Sequence, residues 1–132
     1  MKKKLISEYN KETDTVFSVY YRKRLVKLKS EFQTIEVFQT EKLGRVLIMD
    51  KCFMITEKDY KYYHESCLEI LKNKIDKKID ILIIGGGDFA LVKSLSKFKK
   101  IKSLTLVEID EKVIEICKKF FPYFFKFTQE FY

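Results

Sequence analysis

Ile83-Ile84-Gly85-Gly86-Gly87-Asp88, followed one helix length later by Leu106-Val107-Glu108-Ile109-Asp110, decides the fold class of this 132-residue chain. An apolar strand that runs into a glycine-rich turn, then a second strand that ends in acids, is the sequence form of a nucleoside-binding βαβ unit. Glycine matters in that turn because only a residue without Cβ lets backbone N–H groups approach a ligand closely at the head of a helix. An acid just past the second strand, here Glu108, is placed to accept hydrogen bonds from both ribose hydroxyls. Gly85, Gly86, Gly87 and Glu108 are therefore the candidate nucleoside-binding residues.

Working outward, residues 80–84 read as a buried parallel strand, with Asp88 as the N-cap of a helix running to about Phe98. Residues 103–107 form the second strand, and a further helix runs from Asp110 or Glu111 to Phe120, where Pro122 stops it. Upstream, a lysine-rich hinge over 73–78 follows an amphipathic helix that starts at Asp59 and carries Tyr62, Tyr63, Leu68, Ile70 and Leu71. Before that the period is two: Val16, Val19 and Tyr21, then 34–38, a hairpin turn at 42–44, 45–49, and a short strand over 52–56. The expected fold is α/β. A small N-terminal antiparallel β domain covers 1–57, a connecting helix and hinge 58–78, and a partial Rossmann-like, methyltransferase-type domain 79–132.

Hydrophobic residues at 46% and charged residues at 35%, with one proline and four glycines, describe a chain able to build a core and exclude a linker or disordered tail. Lys+Arg 27 against Asp+Glu 19 gives a net charge of +8, which raises the question of an anionic partner. The lysines are spread as on solvated helix faces, and no RNP-like, KH-like or recognition-helix pattern accompanies them, so nucleic acid is not the expected partner. Three cysteines without a CxxC pair argue against a disulfide framework and a zinc site, so no metal is expected and a reducing cytoplasm is the expected compartment. No apolar run approaches the roughly eighteen residues of a membrane span, and the Met-Lys-Lys-Lys start has no following apolar region. Neither a signal peptide nor a membrane partner is expected.

Five separated signatures then agree in order: Ser30-Glu31-Phe32-Gln33, Gly44-Arg45-Val46-Leu47, Thr56-Glu57-Lys58-Asp59, Tyr63-His64-Glu65, and the glycine turn with its downstream acid. With them, from about Val16 to Pro122, the chain resembles the spermidine synthase (polyamine aminopropyltransferase) family. The resemblance implies transfer of the aminopropyl group of decarboxylated S-adenosylmethionine to a diamine such as putrescine, releasing methylthioadenosine. The nucleoside is then a co-substrate, with no tightly bound cofactor. It implies further that Gln33 contacts the donor, that Asp88 lies near its aminopropyl-sulfonium end, and that Glu108 holds the ribose hydroxyls. Tyr63 would line the amine pocket in a supporting catalytic role, with His64 beside it. The family assigns the amine's proton to an aspartate in a motif after the next strand. That motif is not in this chain, so a C-terminally truncated homologue, inactive as it stands, is the expectation. Family members form dimers or tetramers, which makes a homo-oligomer the expected state.

Several positions depart from the family pattern. Phe89 and Ala90 stand where glycines are usual, Met54 replaces a glutamine, Asp50-Lys51 replaces Asp-Gly, and Tyr60 replaces an acid. Phe120-Phe121-Pro122-Tyr123-Phe124-Phe125 reads as a set of core positions left without partners. Asp110 reads as a helix cap rather than a ligand, while His64 is as readily a helix-surface or core-edge residue as a catalytic one, and Tyr63 could be plain core. Two other functions stay open. Gly85, Gly87 and Ala90 with Glu108 also fit an NAD(P)- or S-adenosylmethionine-binding module without aminopropyl transfer, and the charge with eight tyrosines leaves a nucleic-acid binder as a third.

Overall fold

The computed structural model describes residues 4–72 and 77–127. Residues 73–76, most of the expected hinge, lie outside the described residues. Two compact units divide the chain, Met1–Asp59 and Tyr60–Tyr132.

The first unit is an antiparallel five-stranded meander in the order β1 (Lys4–Asn10), β2 (Thr15–Lys29), β3 (Thr34–Thr40), β4 (Arg45–Met49), β5 (Cys52–Thr56). Its core sits on β3 and β4, where alternate residues point to opposite faces and both faces are covered. Ile35, Val37 and Leu47 are fully buried, and Phe38, Val46 and Ile48 form the opposite cluster with Ile6, Tyr21, Leu43 and Phe53 against it. Each such side chain contributes about 1.5–3 kcal/mol on leaving water. The loop from β4 to β5 has two residues, Asp50 at φ 47° and Lys51 at φ 71°, both in the left-handed region that a tight primed hairpin turn demands. Asp50 is held there by the Thr34 N–H, which donates to its carboxylate at 2.9 Å. Strand β1 was not expected. It pairs with β2 through a turn in which the Asn10 side chain accepts the N–H groups of Glu12 (3.0 Å) and Thr13 (3.2 Å), a local signal that competes with strand continuation.

The second unit contains α1 (Tyr60–Lys72), β6 (Ile79–Ile84), α2 (Ala90–Leu95), β7 (Ile101–Val107), α3 (Glu111–Phe120) and a 3-10 turn, Pro122–Phe125. Strands β6 and β7 are parallel neighbours, in register from Asp80 with Ser103 to Ile84 with Val107. Leu68 of α1, Val92 and Leu95 of α2, Ile83 and Ile101 form the core on one face of this pair. Strand β6 was expected to be buried on both faces, yet Leu82 and Ile84 are 60% and 83% exposed. The alternation of β6 is therefore that of a half-covered strand. None of the described helices is long and apolar enough to cross a membrane.

Candidate functional site

The site grows from the end of β6. The Gly85 N–H donates to the Val107 carbonyl at 2.8 Å, extending the parallel ladder by one rung, and the chain then reverses through φ +80° at Gly85 and +85° at Gly86. These values are open to glycine and strained for other residues. Beyond the reversal the Gly87 N–H donates to Glu108 Oε2 at 2.9 Å, and the Asp110 N–H donates to Glu108 Oε1 at 3.0 Å. Both carboxylate oxygens are thus fixed by backbone donors from two segments, and each keeps a lone pair for another hydrogen bond. Gly87 is needed for the close approach: a Cβ there would meet Glu108 Cγ and Oε2 at 2.9 Å and Val113 Cγ1 at 3.1 Å. Beside Gly85 a Cβ would meet nothing within 4 Å, so the outer side of the turn is open.

Asp88 follows directly. Its Oδ1 accepts the Ala90 N–H at 2.8 Å. Burial holds its carboxyl above the ordinary value, opposed by the Ala90 N–H and by His64, and reinforced by the nearby charge of Glu108. The expected N-cap is corrected here: the cap position of α2 is Phe89, at φ 64° and ψ 6°, and Asp88 reaches the helix start from one residue further back. Helix α2 also ends at Leu95 instead of near Phe98, because a turn closed by the Phe98 N–H on the Leu95 carbonyl at 2.8 Å follows it. Asp110, by contrast, is the N-cap of α3, its carboxylate accepting the Lys112 N–H at 3.1 Å. Beneath the two acids lies Cys117, fully buried, its thiol pushed well above the usual range by burial and by the charges of Asp88 and Glu108. Sequence reasoning passed over this cysteine; only its place on the buried face of α3, one turn after Val113, marks it.

His64 is buried on α1, with Nδ1 donating to the Tyr60 carbonyl at 2.6 Å, one helical turn back. Tyr63 is 72% exposed and stands edge-on to the His64 ring at 5.3 Å, so it is a surface residue and not core. Gln33 belongs to the first unit, at the turn between β2 and β3, where its N–H donates to Ser30 Oγ at 3.1 Å. The second unit therefore brings Gly85, Gly86, Gly87, Asp88 and Glu108 together, and His64 is close enough to Asp88 to act on its charge. Among the described residues, no group of three or more His, Cys, Asp or Glu side chains is placed to hold a metal ion.

The aromatic stretch has partners after all. Phe121 and Phe124 are buried and stacked at 5.8 Å, and Tyr60 packs edge-on to Phe124 at 4.7 Å. The Phe89 ring stacks on Phe125 at 4.5 Å and faces Phe127 at 6.1 Å. Tyr60 and Phe89 are two of the positions that depart from the family pattern, and both departures are answered from residues 124–127. Their shared aromatic character is the sequence signal that would have paired them.

An antiparallel β unit followed by a parallel βαβ unit, with an acid clasped onto the glycine turn, is the architecture of methyltransferase-like proteins that carry an N-terminal β domain. Family models resolve the class further: the spermidine synthase tetramerisation domain matches residues 6–57 and the spermine/spermidine synthase domain matches residues 60–129. The chain belongs to the spermine/spermidine synthase family. It is 48% identical over 96 residues to a polyamine aminopropyltransferase of Prochlorococcus marinus, covering 73% of this chain and 34% of that protein. A polyamine aminopropyltransferase of Lachnoclostridium phytofermentans is 34% identical over 110 residues, covering 83% and 39%. The crystal structure of spermidine synthase from Thermotoga maritima superposes with a TM-score of 0.84 at 28% identity, over 90% of this chain and 42% of that one. A spermidine synthase in complex with the transition-state analogue AdoDATO gives 0.84 and 28%, over 90% and 41%. The chain thus spans less than half the length of the relatives and structures it matches.

Proposed function

We propose that this chain supplies the donor-binding part of a polyamine aminopropyltransferase, acting on decarboxylated S-adenosylmethionine and a diamine such as putrescine. The observation that carries the reading is the Glu108 clasp. A carboxylate with both oxygens oriented by backbone N–H groups, beside an open glycine turn, is preorganised to accept two vicinal hydroxyls by charge-assisted hydrogen bonds. Asp88 is suited to the cationic end of the donor, because a carboxylate whose ionised form is disfavoured by burial gains most from an adjacent sulfonium. In the reaction the neutral amine nitrogen attacks the aminopropyl carbon bonded to sulfur, the C–S bond breaks, methylthioadenosine leaves, and the new ammonium loses a proton. The chain's contribution is positioning. Gln33 is assigned to the donor, and Tyr63 with His64 to the amine. The match to a tetramerisation-domain model supports self-association into a homo-oligomer, and three unpaired thiols suit a reducing compartment such as the cytoplasm.

Calorimetric titration tests this. Methylthioadenosine is expected to give a saturable heat with the wild-type chain and none with Glu108→Ala, while NADH gives none with either. Equal heats for the two proteins, or tighter binding of NADH, overturns the assignment.

A further inference from the structure

Among the described residues of the second unit, Phe89 is the one non-glycine residue with a positive φ, 64° with ψ 6°. A side chain with a Cβ crowds its own carbonyl in that region, so an aromatic residue stays there only when its surroundings fix it. The conformation has a consequence for Asp88. Phe89 lies between the Asp88 carboxylate and the Ala90 N–H that donates to Oδ1 at 2.8 Å, so its φ and ψ decide whether that donor meets the carboxylate.

Two separate contacts from beyond α3 do the fixing. The Phe89 ring stacks on Phe125 at 4.5 Å, with 28° between the planes, and faces Phe127 at 6.1 Å. One helical turn on, the buried Lys93 donates from Nζ to the Lys126 carbonyl and stands over the Tyr123 ring at 4.8 Å, while its own N–H donates to the Phe89 carbonyl at 2.9 Å. Residues 123–127 are themselves anchored, because Phe124 is buried against Phe121 and Tyr60. Glu108 is held from elsewhere, by the N–H groups of Gly87 and Asp110.

We propose that residues 123–127 form a clamp that aims the Asp88 carboxylate at the cationic end of the donor, with Phe125 and Lys93 as positioning residues that act through Phe89. The clamp rests on the assignment of Asp88 to the sulfonium end. Released from it, Phe89 relaxes to negative φ, the Ala90 N–H leaves Oδ1, and the carboxylate loses its direction. The ribose end, on Glu108, is untouched. Glycine adopts the left-handed region unaided, so the need for a clamp comes with the phenylalanine at this position.

Calorimetric titration of two nucleosides tests this: decarboxylated S-adenosylmethionine, which carries the sulfonium, and methylthioadenosine, which is neutral. Phe125→Ala is expected to weaken the sulfonium donor at least about fivefold, the scale of the left-handed penalty, and to leave methylthioadenosine unchanged. Lys93→Met keeps the buried stem, removes the hook to Lys126, and shifts the two ligands in the same sense. The deciding variant is Phe89→Gly/Phe125→Ala, in which sulfonium binding returns to the wild-type level although neither ring contact does; lost packing offers no route to such a rescue. Without ligand, exchange of the Ala90 amide proton speeds up several-fold in Phe125→Ala and slows again in the double variant. Parallel loss of both nucleosides, unchanged sulfonium affinity in Phe125→Ala, or a double variant without rescue overturns the clamp and leaves the donor seat standing. A wild-type chain that binds neither nucleoside overturns the donor seat, and the clamp with it.

Discussion

The Gly87 N–H and the Glu108 carboxylate meet at 2.9 Å although they lie twenty-one positions apart in the sequence. One bond therefore joins the glycine turn after β6 to the acid after β7. Since the second oxygen of Glu108 takes the Asp110 N–H, the same side chain also fixes the entry to α3.

Glu108→Gln is expected to fail where it looks conservative. Both oxygens accept backbone N–H groups, and an amide has one acceptor, so one N–H faces an NH₂ group. Leaving a part-buried donor unmet costs about 1–3 kcal/mol. Urea unfolding should show that loss, and calorimetry should show methylthioadenosine binding abolished; a variant as stable as wild type contradicts the clasp.

Two glycines in the turn should respond differently to alanine. At Gly85 the space is open, so only the positive φ is penalised, by about 1–2 kcal/mol. At Gly87 the methyl group meets Glu108 and Val113 near 3 Å and must displace the carboxylate. Gly87→Ala should therefore lose nucleoside binding outright, while Gly85→Ala loses stability but retains detectable binding. Calorimetry beside thermal melting separates them, and the reverse order of binding losses would contradict the geometry.

Asp88 links pH to stability. Its carboxyl titrates above the ordinary 3.8 in the fold, so its contribution to stability is fully present below that value and lost as pH rises through the raised one. At neutral pH the buried charge is a liability. Asp88→Asn keeps an oxygen for the Ala90 N–H and removes the charge, so it should melt higher than wild type at pH 7, with the gap closing as pH falls through the raised value and closed by about pH 4. The variant should bind methylthioadenosine yet bind the sulfonium donor more weakly. A lower melting temperature at pH 7 contradicts the sign.

Phe89 adopts a left-handed backbone that suits glycine, and its ring is stacked on Phe125. Stacking of this kind contributes about 0.5–1.5 kcal/mol beyond burial. Phe89→Gly trades that contact for relief of strain, and Phe125→Ala loses the contact while keeping the strain. A double-mutant cycle on unfolding free energy should give a coupling of about 0.5–1.5 kcal/mol; strict additivity would show that the rings do not support each other.

Much of this was legible beforehand, and the exceptions have physical causes. The glycine turn and Glu108 could be read because an apolar strand, a run without Cβ and a displaced acid must occur in that order to build the clasp. Strand β1 could not, because Leu5 and Tyr9 are both more than half exposed and only Ile6 of its apolar residues packs against the core, too little apolar alternation to mark an edge strand in the sequence. The open face of β6 escaped for the opposite reason: Ile81 to Ile84 is apolar throughout, and such a run looks the same with one face covered or two. The left-handed conformation of Phe89 is rare for an aromatic residue, and it becomes intelligible only when Phe125 is beside it.

Because Glu108 is anchored to two segments, occupancy of the proposed nucleoside seat is coupled to the folding of the second unit. A ligand resting on that carboxylate would act as a fastener, since whatever binds only the folded form raises the midpoint of melting by mass action. Analogues of the donor can accordingly be ranked from unfolding curves alone, without an amine present and without a single turnover.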